Sequence, residues 1–89
     1  MKKATFEIVK ASIDKWDPYG FFPMGAPANE YDGESKLIAL EIDSESDIND
    51  VAYIVSKVFT SQFGDPKLFC YENCVDVANE INSYLINNK

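Results

Sequence analysis

The sequence predicts an all-α fold: a compact small bundle of three main helices plus a shorter one, with an interhelical loop rich in proline, glycine and aromatic residues. In three segments apolar side chains recur every three to four residues, as in helices that bury one face. With 89 residues, 46% of them hydrophobic, the chain has room for one core and one helical domain, 1–89. If compact, that domain has a radius of gyration of about 12 Å.

The first helix is predicted over residues 5–16. Its end is marked by Pro18, because proline lacks an amide hydrogen and disfavours helical geometry in the residue before it. The apolar residues of the segment lie on one stripe: Phe6, Val9, Ile13 and Trp16.

Residues 17–29 form the predicted interhelical loop, which holds three of the four prolines and two of the four glycines. Its aromatic side chains, with their neighbours Trp16 and Tyr31, have two interpretations: a lid over the helical core or an exposed patch for a partner. The lid is favoured because monomeric proteins rarely expose large apolar patches. The partner surface remains an alternative.

Residues 30–43 are ambiguous, since the stretch 37–42 fits both an alternating strand and a helix. A single strand would leave its backbone groups unpaired unless a dimer completed a sheet. We therefore predict a helix.

The third helix is predicted to start at Ser44, a capping residue followed three positions later by Asp47, and to stop at Gly64. Asp65 and Pro66 suit the start of a last helix that runs almost to the carboxy terminus. The predicted face of the third helix is Ile48, Val51, Ala52, Val55, Val58, Phe59, Gln62 and Phe63, and that of the last helix is Cys70, Cys74, Val77, Ala78, Ile81 and Leu85. Both cysteines are expected to be small core residues rather than a disulfide. Trp16, Val55, Phe59 and Ile81 are expected to be largely buried.

The composition argues against most enzyme classes. The chain has no histidine, so Ser-His and Cys-His nucleophilic pairs cannot be built, and its four scattered glycines form no phosphate-binding loop. We therefore predict no enzyme activity, no catalytic residue and no cofactor.

The net charge of −7 disfavours binding to nucleic acids or to anionic membranes. The expected partner is another protein with a basic or neutral surface. No apolar run reaches the ~18 residues of a membrane span, so a cytoplasmic protein is expected, as a monomer or weak homodimer.

Four carboxylates cluster around the loop, those of Asp17, Glu30, Asp32 and Glu34. Acids in such a cluster could carry out acid–base chemistry or hold a hard cation. The spacing of Glu30, Asp32 and Glu34 matches only part of a calcium loop, so no metal site is assigned. A carboxylate-based divalent-metal-binding protein or enzyme is the alternative function. The favoured function is non-covalent protein binding, as by an inhibitor, an immunity-like protein or an adaptor. Its candidate partner-binding residues are Asp17, Tyr19, Phe21, Phe22, Glu30, Tyr31, Asp32 and Glu34.

The run from residue 16 to residue 34 follows, at all but one position, the pattern W-D-P-x-G and then G-A-P-x-D-E-Y-D-x-E. It resembles the signature of the YugE-like family of small uncharacterised bacterial proteins, which implies an all-α fold and supplies no activity. Asn29 departs from the aspartate usual in that pattern. On physical grounds Asp17 can turn the chain, and Asn29 can cap the next helix. Tyr31 is expected to pack near Trp16, with its hydroxyl on a backbone or carboxylate partner.

Overall fold

The computed structural model describes residues 3–43 and 46–87, and these residues form helices and no strand. The elements are α1 (Lys3–Trp16), a 3₁₀ turn (Phe22–Met24), α2 (Asp32–Glu41), α3 (Ile48–Phe63) and α4 (Tyr71–Asn87). The helix predicted over 30–43 is present with narrower bounds. The radius of gyration is 12.1 Å, which agrees with the prediction for a compact all-α chain.

The helix α3 packs against both α2 and α4, and α1 packs against the same two helices. The buried apolar side chains form one cluster. Its members are Val9, Ile13, Tyr31, Ile38, Ala39, Val51, Ala52, Ile54, Val55, Val58, Phe59, Phe69, Cys74, Val77, Ala78 and Ile81.

Among the described residues, no helix has both the length and the apolarity that a membrane crossing needs.

The start of α3 differs from the prediction. Its cap is Asp47, which accepts the backbone N–H of Asp50 at 2.9 Å, while the Asp50 carboxylate accepts the N–H of Asp47 at 3.2 Å. This reciprocal capping box satisfies two amides that the first helical turn leaves unpaired. The predicted cap Ser44 lies outside the described residues. The helix ends as predicted at Gly64, whose φ of 69° is left-handed and whose N–H donates to the Thr60 carbonyl at 2.8 Å.

Two other predicted helix starts are wrong. Asp65 closes only a single turn, in which its carboxylate accepts the Leu68 N–H at 3.1 Å, and α4 begins later, at Tyr71. Asn29 does not cap α2 with its side chain: the helix begins at Asp32, whose N–H donates to the main-chain carbonyl of Asn29 at 3.1 Å.

The core contains three of the four residues that were expected in it, since Val55, Phe59 and Ile81 are fully buried. Trp16, the fourth, is partly buried against this core and packs edge-on on Phe59, with 5.3 Å between ring centroids. Of the residues on the predicted faces of the third and last helices, Gln62 is exposed. Four others are half-buried: Ile48, Phe63, Cys70 and Leu85. Cys74 is buried, and both cysteines are free thiols.

Candidate functional site

The loop from α1 to α2 is anchored by the carboxylate of Asp17. This carboxylate accepts the hydroxyl hydrogen of Tyr31 at 2.7 Å and the backbone N–H groups of Phe21 at 2.9 Å and Phe22 at 3.2 Å. Asp17 has a φ of 40°, a conformation that redirects the chain out of α1. One side chain thereby turns the backbone, as predicted, and fastens the loop to the tyrosine.

The Asp17 carboxylate is held ionised by these contacts. Partial burial opposes ionisation, but the hydrogen bonds from Tyr31, Phe21 and Phe22 outweigh it and hold the pKa of Asp17 below its usual value. The same contact has the opposite effect on the tyrosine: burial, and then the hydrogen bond to Asp17, raise the pKa of the Tyr31 hydroxyl. The pair is thus a neutral donor and a charged acceptor.

The aromatic residues of the loop pack on the core around Tyr31, which is fully buried. Its ring stacks on Phe21 with 5.9 Å between centroids and meets Phe22 edge-on at 5.7 Å. Tyr19 stacks in turn on Phe21, at 5.2 Å. The Tyr31 ring also contacts Phe59 of the core, at 6.1 Å, and Trp16 packs edge-on against the same Phe59 ring.

The remaining candidate acids lie around an ion pair between α1 and α2. Lys10 of α1 donates to Asp32 at 2.7 Å, to Asp14 at 2.9 Å and to the main-chain carbonyl of Ala28 at 2.6 Å. The hydrogen bond with Asp32 is the largest cause of a raised pKa at Lys10. This lysine joins α1, the loop and α2 at one point.

Glu30 and Glu34 flank this ion pair. Glu30 is exposed, whereas Glu34 is half-buried, and its pKa is raised by burial and then by the nearby charges of Glu30 and Asp32. Across the part of the chain that the structure describes, no three acidic or cysteine side chains converge closely enough to hold a metal ion.

The eight candidate residues therefore fall into two groups, of which the second is the set of acids near Lys10: Glu30, Asp32 and Glu34. Asp17, Tyr19, Phe21, Phe22 and Tyr31 form one interlocked cluster that covers the core, and Tyr31 within it is closed to a partner. The outward side of the loop is made by other residues, above all Met24, which is 75% exposed.

A second surface, along the edge where α2 meets α3, was missed by the sequence reasoning. Leu37, Leu40 and Tyr53 are 41%, 57% and 63% exposed there. The ion pair between Lys57 of α3 and Glu41 of α2 joins the two helices, and the Lys57 ammonium lies over the Tyr53 ring at 5.9 Å from its centroid. We call this surface, Leu37, Leu40, Glu41, Tyr53 and Lys57, the α2–α3 edge. A sequence signal existed, because Leu37 and Leu40 lie off the stripe that Ile38 and Ala39 bury.

An open depression of about 380 Å³ adjoins the α2–α3 edge. Three of its lining residues are acids, and we call these three carboxylates its rim. The lining residues are Glu41, Asp43, Ser46, Asp50, Tyr53 and Ile54.

Comparison with known proteins gives no relative from which a role could be transferred. No protein-family model matches the chain, no characterised protein is similar to it, and no solved structure matches it. Membership of the YugE-like family therefore stays a prediction.

Proposed function

We propose that this protein acts by non-covalent binding to another protein with a basic or neutral surface, as an inhibitor, an immunity-like protein or an adaptor does. We expect it to act in the cytoplasm, without catalysis, as a monomer or weak homodimer. The proposed scaffold is a bundle of three principal helices and the shorter α2, closed by the loop.

The disposition of the carboxylates is the observation that carries the proposal. Those that lie inward are already satisfied within the chain: Asp17 by Tyr31 and two amides, and Asp32 by Lys10. Others, such as Glu7 and Glu72, are exposed on the outside of different helices. Acids that are dispersed in this way produce a negative surface potential, which steers a partner of opposite charge. The same dispersal gives the divalent-metal alternative no support.

Fewer residues of the candidate binding segment 17–34 are expected to contact the partner than the sequence interpretation proposed. Its aromatic residues hold the loop on the core, so a partner would contact only its outward residues, such as Met24 and Glu30. The sequence interpretation expected Phe21 and Phe22 to anchor a partner. With both rings packed on Tyr31, we instead expect their joint replacement by alanine to loosen the fold.

Cross-linking in the native cell, followed by affinity capture and identification of the attached protein, tests the proposal. Purified partner and protein should then associate at a rate that falls as salt rises from low to physiological strength, because ions screen exposed charges. A rate independent of salt would contradict the electrostatic part. Failure to recover any specific protein partner would contradict the proposal as a whole.

A further inference from the structure

We infer that the α2–α3 edge docks a basic amphipathic helix of the partner protein. This inference rests on the proposed function and deepens it by naming the surface and the chemistry of the segment that covers it.

The surface extends from α2 to α3 through one ion pair. On α2, Leu37 has Leu40 three residues ahead and Glu41 four residues ahead, which places all three side chains on one exposed stripe. Glu41 pairs with Lys57, and Lys57 covers the ring of Tyr53 one turn back on α3. Two leucines on α2 and a tyrosine on α3 are thus linked across the two helices by one ion pair.

These apolar side chains have little to do inside the fold. Leu40 and Tyr53 each leave more than half of their surface in water, while the buried contacts of α2 are made by Ile38 and Ala39. Single exposed leucines are ordinary, but two exposed leucines one turn apart and a tyrosine that lines a depression form the kind of surface that receives the apolar face of a helix.

The charge of the rim selects the occupant. Asp43 and Asp50 line the depression, and Asp47 lies exposed beside them. The described cations close to this edge are Lys57, which Glu41 already pairs, and Lys36, one turn before Leu40. The acids therefore outnumber the lysines, and a segment with lysine or arginine beside its leucines complements the rim.

The same charges argue against a second copy of this chain as the occupant. A two-fold contact would place each surface on its own image, and so would bring the acidic rims together. Two molecules of net charge −7 also repel one another at long range. A foreign basic helix meets neither obstacle.

A titration with two synthetic peptides tests the inference on the full chain. Both are about 18 residues long, or five helical turns, with the same leucine pattern; one carries lysine and the other glutamate at the polar positions. We expect amide shifts in the NMR spectrum of the labelled protein to concentrate at residues 36–41 and 50–57 with the leucine–lysine peptide. The leucine–glutamate peptide should bind at least about ten-fold more weakly.

The variant for this test is Leu40→Asn with Tyr53→Ser, and the matched control is Ile86→Asn, a change of an equally exposed apolar residue near the end of α4. The double variant should bind the leucine–lysine peptide at least about ten-fold more weakly, and the control should bind it like the wild type. Each single variant is measured as well, and circular dichroism checks that every variant keeps its helices. Because both residues are exposed, we expect the fold to survive.

Three outcomes would overturn the inference: shifts spread over all helices, equal binding by the double variant, or a dimer in sedimentation equilibrium that the double variant abolishes. The last would assign the surface to a second copy. A native partner that binds the double variant as tightly as the wild type would also refute the docking surface, while protein binding itself would stand. Failure to recover a partner in cells refutes the proposed function regardless of the peptides.

Discussion

Replacing Phe59 by alanine removes the side chain at the centre of the core. The residue is fully buried, and its ring lies 4.9 Å from that of Phe69, 5.3 Å from that of Trp16 and 5.6 Å from that of Phe63. The ring of Tyr31, which anchors the loop, lies 6.1 Å away. The substitution therefore leaves a cavity bordered by α1, α3, the loop and the turn before α4.

The expected cost follows from that burial. A Phe→Ala change in a core costs about 3–5 kcal/mol of unfolding free energy, through lost transfer energy and the cavity left behind. Four aromatic neighbours place this site toward the upper end, since ring pairs add about 0.5–1.5 kcal/mol beyond their buried area. A domain of this size is stable by about 4–13 kcal/mol, so the variant is expected to be marginal or unfolded at room temperature.

Urea titration followed by Trp16 fluorescence and far-ultraviolet circular dichroism measures this cost. The single tryptophan touches Phe59 edge-on and so reports on the site itself. Phe59→Leu retains part of the apolar volume and gives a measurable transition if the alanine variant does not fold. The matched control is Tyr53→Ala, an exposed aromatic on the same helix, which we expect to cost less than about 0.5 kcal/mol.

A loss below about 1 kcal/mol for Phe59→Ala would refute the described core, because that is the range of a surface residue. Equal losses for Phe59→Ala and Tyr53→Ala would be equally decisive, since they would mean that the two faces of α3 are assigned wrongly.

Three further predictions concern the cap of α3, the loop anchor and the buried thiol. Asp47→Ala should lower the unfolding free energy by about 1 kcal/mol in urea titrations, with Asp76→Ala, an exposed acid on α4, as its neutral control. Because folding lowers the pKa of Asp17 below its ordinary value of 3.8, the ionised group stabilises the fold above that pH and the contribution is lost as pH falls through the folded pKa. Asp17→Asn should therefore be less stable than the wild type at pH 7, and the gap should close in strong acid; a gap independent of pH would contradict the charged anchor. Burial raises the pKa of the Cys74 thiol to about 11, so Ellman's reagent should modify it only on unfolding, and rapid labelling of a Cys70→Ser variant in the native state would contradict its burial.

The parts of the fold that the sequence predicted are those where two independent local signals agree. In α3 an apolar stripe runs up to Gly64, and only a residue without a side chain adopts the left-handed cap freely, so face and end were both readable. In α1 the stripe of Val9 and Ile13 stops just before Pro18, with the same result.

The parts of the fold that the sequence did not predict depend mainly on contacts between segments. Phe69 is fully buried, although it lies in a turn with no periodic pattern around it, because the neighbouring rings of Phe59, Phe63 and Trp16 surround it. Periodicity can assign residues to the face of a helix, but it is silent about a side chain that enters the core from a turn. The choice of Asp47 as the cap of α3 was similarly open, since aspartate and serine are both good capping residues and lie close together there.

The aromatic residues of the candidate site pack inward for a reason that lies in the chemistry of the loop. Alternating acids and aromatics are typical of an exposed interface, but a carboxylate that accepts a tyrosine hydroxyl and two backbone amides also satisfies those groups when they turn inward. Asp17 and Tyr31 do this, and the sequence, read alone, left the inward and outward arrangements open.

The difference between inward and outward side chains separates residues that are needed for folding from residues that are free to serve binding. Asp17 and Tyr31 hold the loop on the core, so any relative with the same fold has reason to keep them whether or not it binds the same partner. Leu40 and Tyr53 have no comparable task, because each leaves most of its surface in water. A relative would retain an apolar residue at both positions only if something covers them. The motif of residues 16–34 thus reports on the scaffold, and the α2–α3 edge is where substitutions can separate binding from folding.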